Sequence, residues 1–164
     1  MARIESSVRA GGMEVNQVDL SGRTVLLART SSFRWRWFAS RLHVFLFAAI
    51  FPPRPAVADL EEFMGAAVRY ATTHKGGLPR GLNTGTASVG VAVTDELNES
   101  DRDWALRRHA GRFAAISFPV SVEASIGRVV FPNRMIVGAS YSSYLRSLVQ
   151  EHIVSATKGD SAAR

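Results

Sequence analysis

The sequence predicts a single-domain α+β fold: an antiparallel sheet, built from a meander plus a hairpin, with two main helices and one short helix packed largely on one face. Three observations carry this expectation. Short strand-like runs separated by turn signals fill residues 14–51, alternating at 33–37 and continuously apolar at 42–51, and recur through 113–131. Residues 57–75 and 139–156 instead repeat apolar positions at helical spacing. A chain of 164 residues fits one domain and can bury a core without disulfides or metals. The expected organisation is a loose tail over 1–12, the domain over 13–157 and a second tail over 158–164.

The elements follow from local chemistry. "MEVNQVDLSGRTVLLART" reads as two strands around a Ser21–Gly22 hairpin turn. In "SSFRWRWF", Phe33, Trp35 and Trp37 share one strand face and Arg34 and Arg36 the other. The run "LHVFLFAAIF" over 42–51 reads as a buried strand, because a membrane-spanning helix needs about 20 apolar residues and Pro52–Pro53 stop it after ten.

Those prolines open the first main helix, whose Val57, Leu60, Met64, Ala67, Val68 and Ala71 form an apolar stripe. Gly76 or Gly77 is expected to cap it. The strand "ASVGVAVT" has valines on one face and Ser88, Gly90, Ala92 and Thr94 on the other. So small a face implies close approach, most simply by a packed helix. A short helix is expected after Ser100 as N-cap, with Asp103 completing a capping box. Ser125–Ile126–Gly127 joins a second hairpin, in which Pro119 requires an edge or a bulge. A terminal helix turns Leu145, Leu148, Val149, Ile153 and Ala156 to the core.

Composition excludes several chemistries. Without cysteine there is no disulfide framework, thiolate metal site or cysteine nucleophile. His43, His74, His109 and His152 show no metal-ligand spacing, so no metal is expected, and no cofactor fingerprint is present. The acidic run "DELNESDRD" departs from the calcium-loop template, and acids ahead of a helix are what its dipole favours. "GASYS" lacks the second glycine of a nucleophile elbow, and "SATK" lacks companion motifs. Residues 1–54 hold eight arginines against three acids. Eighteen of the chain's twenty basic residues are arginine, however, a chain-wide bias that leaves nucleic-acid binding through this basic N-terminal third as the third reading, behind the two given below.

One stretch resembles a phosphate loop in composition: "HKGGLPRGLNTGT", residues 74–86. Its order is reversed, because it leaves a helix C-terminus, where free carbonyls and a partial negative charge oppose an anion. A cap, a turn at "LPRG" and a strand entry account for its glycines. With no nucleophile–base pair or metal set, the leading expectation is a cytoplasmic, non-enzymatic binding or regulatory module. It would act through a protein partner or self-association, with Phe33, Trp35 and Trp37 as the contact face. The alternative is a small-ligand binder or enzyme with an anion-accepting pocket rimmed by His74, Lys75, Arg80, Asn83 and Thr84.

Overall fold

The computed structural model describes residues 1–34, 40–75, 84–107, 115–133 and 139–158. Six strands lie side by side in chain order: β1 (Glu14–Leu20), β2 (Arg23–Arg34), β3 (Ser40–Ile50), β4 (Thr84–Thr94), β5 (Ala115–Glu123) and β6 (Arg128–Val130). Helix α1 (Ala2–Ala10) precedes the sheet, α2 (Val57–His74) joins β3 to β4, and α3 (Glu99–Leu106) lies between β4 and β5. The chain closes with α4 (Ala139–Val149), a π-helical turn over Gln150–Val154 and α5 (Ser155–Lys158).

The α+β class holds, but the sheet is mixed and not antiparallel. β1–β2, β2–β3 and β5–β6 pair antiparallel, while β3–β4 and β4–β5 are parallel. A helix between two strands carries the chain back to the end where the previous strand began, so α2 and α3 each produce a parallel pair. The continuous apolar run of β3 fits this, because strands covered on both faces lose their alternation.

The helices also occupy both faces, in contrast to the expected single layer. β3, β4 and β5 step across the sheet in one direction, and right-handed crossovers then place α2 and α3 on the same side. Their Leu60, Phe63, Met64, Ala67 and Trp104 pack there with Leu27, Phe45 and Phe47 of the sheet. The opposite face, with Leu46, Val89, Val91 and Phe118, is covered by Leu145, Leu148, Val149 and Ile153 of the terminal helix and by α1. Each such leucine or phenylalanine, fully withdrawn from water, contributes about 1.5–3 kcal/mol.

Within residues 1–12, expected as a loose tail, Ala2–Ala10 form α1. Ile4 and Val8, four apart on one helix face, are buried in the core. The helix ends beside the π-helical turn, where His152 lies against Gly11 so closely that a side chain at Gly11 would overlap the imidazole.

Several local expectations are met. Ser21 and Gly22 both have positive φ, 56° and 78°, the type I′ geometry of a two-residue hairpin. Asp19 Oδ1 accepts the Gly22 N–H at 2.9 Å. Pro119 pairs with Gly90 of β4, whereas β6 pairs only with Ser121–Glu123, so β5 is locally an edge at the proline. The small face of β4 receives α2: a Cβ on Gly90 would lie 2.5 Å from Met64 Sδ. The α3 cap starts two residues earlier than expected. Asn98 Oδ1 accepts the Asp101 N–H at 2.9 Å, and Asp101 Oδ2 accepts the Asn98 N–H at 3.0 Å. Ser100 instead donates to Asn98 Oδ1 at 2.5 Å.

Candidate functional site

Open sheets with parallel strands commonly bind ligands beyond the carboxyl ends of those strands. Here that end is tied shut. Thr94 Oγ1 donates to Pro52 O at 2.9 Å, the Ala124 N–H donates to Thr94 O at 2.8 Å, and Ser125 Oγ donates to Asp95 O at 2.6 Å. Arg54, in the left-handed region at φ 53°, pairs with Glu96 at 2.6 Å. Within the acidic run Asp101 serves the helix cap and Glu96 an ion pair, and the described residues contain no group of three metal-ligating side chains.

At the opposite end the described residues leave a notch. β1 pairs with β2 only as far as Glu14↔Arg29, but β2 runs on to Arg34, so its outer edge beyond Arg29 has no ladder partner in β1. A cleft of about 370 Å³ occupies this notch, lined by Gly12, Glu14, Arg29, Ser31, His43 and Phe45 among others. The ladder explains why these side chains meet. Glu14 opposes Arg29, Arg29 opposes Phe45 and Ser31 opposes His43, all on the sheet face that α2 covers farther along. Arg29 is held from two sides: its guanidinium lies 4.0 Å from Glu14 and 5.4 Å from the centre of the Phe45 ring.

The electrostatics of the notch centre on His43. Burial pushes its pKa below the ordinary 6.5, and Arg41, Lys75 and Arg29 push it the same way. Partial burial and positive charge from two strands and from the end of α2 thus all disfavour the imidazolium form of this half-buried side chain. Beside it, Thr86 is the partner of His43 across the β3–β4 ladder, and its buried hydroxyl has no hydrogen-bond partner among the described residues. Ser31 and His43 share no hydrogen bond among the described residues. The pair therefore lacks the nucleophile–base contact that covalent catalysis uses.

Of the residues expected to rim an anion pocket, Lys75 contributes its charge to this cleft. His74 is committed elsewhere: its ring stacks on Tyr70 with centroids 3.9 Å apart, and its Nδ1 lies 2.9 Å from Tyr70 O. Thr84 is the first residue of β4 and pairs with Arg41. Arg80 and Asn83 lie outside the described residues. Of the expected contact face, Phe33 is in β2 opposite Arg41, while Trp35 and Trp37 lie outside the described residues.

Arg29, Ser31, Glu14 and the role of His43 were not anticipated from sequence. Strand alternation was the available signal, since residues 29 and 31 share a face and His43 is the one ionisable residue inside the apolar run 42–51. Which face of β3 meets which face of β2 depends on register, and no single strand reveals that.

Together these features define an α+β domain with helices on both sheet faces and a polar cleft, lined by Glu14, Arg29, Ser31 and His43, at the notch between β1 and β2. Among known proteins, no family model, no curated sequence and no solved structure matches the chain.

Proposed function

We propose that this protein is a non-enzymatic binding module for a small anionic ligand, taken up in the β1–β2 notch. The observation that supports this most directly is the convergence of Arg29, Arg41 and Lys75 on His43, with Glu14 as the acid lining the same cleft. The C-terminal end of α2 opposes an anion, but a helix terminus carries only about half a charge, and Arg29 and Arg41 on the neighbouring strands each carry a full one. The open backbone edge of β2 and the Ser31 hydroxyl add hydrogen-bonding groups that a ligand can use.

This reading keeps the anion-accepting alternative drawn from the sequence and moves its centre from residues 74–86 to residues 29–43, with Lys75 common to both. A cytoplasmic setting belongs to the same proposal. A panel of small phosphates, sulfates and carboxylates, screened by thermal shift against wild type and Arg29→Ala, tests it. Stabilisation of wild type by at least one anion, lost in Arg29→Ala, is expected. Equal responses from the two proteins, or no response to any anion, would remove the reading.

A further inference from the structure

From the geometry of the free β2 edge we infer that the notch receives the carboxyl terminus of an extended peptide, paired with β2 as a short added strand. This rests on the reading of the notch as an anion site and identifies the anion as a chain end.

The edge comes first. The Ser21–Gly22 turn is a two-residue hairpin, so Leu20 and Arg23 exchange both backbone hydrogen bonds. The β1–β2 register then runs unbroken to Glu14↔Arg29, and every second residue of β2 repeats the pattern. Val25, Leu27 and Arg29 thus point their N–H and C=O groups at β1. The β2–β3 register is unbroken from Leu26 to Arg34, so the alternation carries on to Ser31 and Phe33. Their backbone groups point out of the edge where β1 has ended, with no backbone partner among the described residues. Thr30 and Ser32 point the other way, into the ladder with β3.

Direction follows from what blocks the line. A strand pairing antiparallel with β2 here runs in the same direction as β1 and lies directly ahead of it. Its carboxyl end therefore meets the start of β1, where Gly12 and Glu14 form a wall of the cleft. Gly12, at φ 75° and with its N–H donating to Arg9 O at 2.9 Å, is where the chain leaves α1 for β1. A peptide continuing past this point would collide with β1, so the segment that fits ends there.

The chemistry at that point suits a carboxylate. Arg29 stands on the last paired rung and lines the cleft. Its guanidinium is 4.0 Å from Glu14, beyond hydrogen-bond length, and makes no side-chain hydrogen bond among the described residues. A terminal carboxylate at the level of Ser31 takes the Ser31 N–H on one oxygen and the Arg29 guanidinium on the other. Recognition here depends on donors in the right place and not on an excess of charge, since Glu14 offsets Arg29 in the same lining. The reverse orientation, parallel to β2 with an ammonium at Glu14, would set a cation against Arg29.

Amide NMR titration of the full chain tests this with a pool of acetylated tetrapeptides, randomised at every position, as the free acid and as the C-terminal amide. A third pool carries a free amine and an amidated end. The free-acid pool should produce saturable shifts at Ser31 and Phe33 and slow hydrogen exchange of both amides about tenfold or more. It should bind roughly tenfold more tightly than either amidated pool. Arg29→Ala should reduce the acid-over-amide preference to within about twofold. Ser31→Pro, which removes one outward N–H and spares the β3 ladder, should weaken the free-acid pool by about tenfold. Equal binding of acid and amide, or preference for the free-amine pool, overturns the chain-end assignment. If glycerol 2-phosphate shifts Arg29 and Ser31 while no peptide pool does, this inference falls and the anion reading stands. If neither the peptides nor any small anion binds, both fall.

Discussion

Ser31 and His43 are direct partners across the β2–β3 ladder, at a level of the sheet that β1 does not reach. That relationship puts a hydroxyl and an imidazole side by side in an open notch, within the field of three cations. It also makes His43 a source of pH-dependent stability. Its folded pKa lies below 6.5, so the unfolded chain binds the proton more readily. Stability from the neutral imidazole is complete above about 6.5 and is lost as pH falls toward the folded value. Denaturation midpoints measured from about pH 7.5 down to 5 should fall for wild type, and fall less for His43→Gln.

The α2–β4 contact gives a second prediction. Gly90→Ala places a methyl group 2.5 Å from Met64 Sδ, and the destabilisation should be about 1–3 kcal/mol. Since the methyl meets a flexible side chain, pairing it with Met64→Ala should recover part of the loss. A double-mutant cycle in urea measures the coupling, expected at about 0.5 kcal/mol or more.

Helix α1 belongs to the core. Ile4 is 3% exposed and Val8 is fully buried. Ile4→Ala should therefore cost roughly 2–5 kcal/mol by thermal or chemical denaturation, far more than a residue in an unpacked tail would.

Asp101 illustrates a cap bought at an electrostatic cost. Its carboxylate accepts the Asn98 N–H through Oδ2, while Oδ1 is buried without a hydrogen-bond partner among the described residues. Burial raises its pKa above 3.8, with the Asn98 hydrogen bond pulling the other way. The folded state thus holds the proton more readily than the unfolded chain, and the penalty of the charged form grows as pH rises through the folded value. At neutral pH Asp101→Asn, which keeps an acceptor and removes the charge, should be at least as stable as wild type. Asp101→Ala loses the reciprocal cap and should fall by about 1 kcal/mol relative to Asp101→Asn. Equilibrium unfolding of the three proteins distinguishes these outcomes.

Local chemistry made most elements legible, and long-range relations were the part that was not. The Ser21–Gly22 turn, the apolar stripe of α2 and the small face of β4 each declare their role within a few residues. Parallel pairing of β3, β4 and β5 follows from how α2 and α3 return the chain, and the uninterrupted apolar run of β3 was the trace of it in the sequence. Helix α1 escaped notice because only Ile4 and Val8 anchor it among polar neighbours, too few positions to form a readable stripe. The candidate cleft was legible only at Lys75, since Glu14, Arg29, Ser31 and His43 come from three strands and meet through register.

The central claim is that the notch between β1 and β2 binds an anion, and an amide chemical-shift map tests it most directly. Titrating ¹⁵N-labelled protein with glycerol 2-phosphate at low ionic strength should produce saturable shifts concentrated at Gly12, Arg29, Ser31 and His43. The clasp at Thr94, Asp95 and Ser125 at the far end of the sheet should stay unmoved. Shifts that centre on the far end, or that scatter without saturating over the arginine-rich surface, would contradict it.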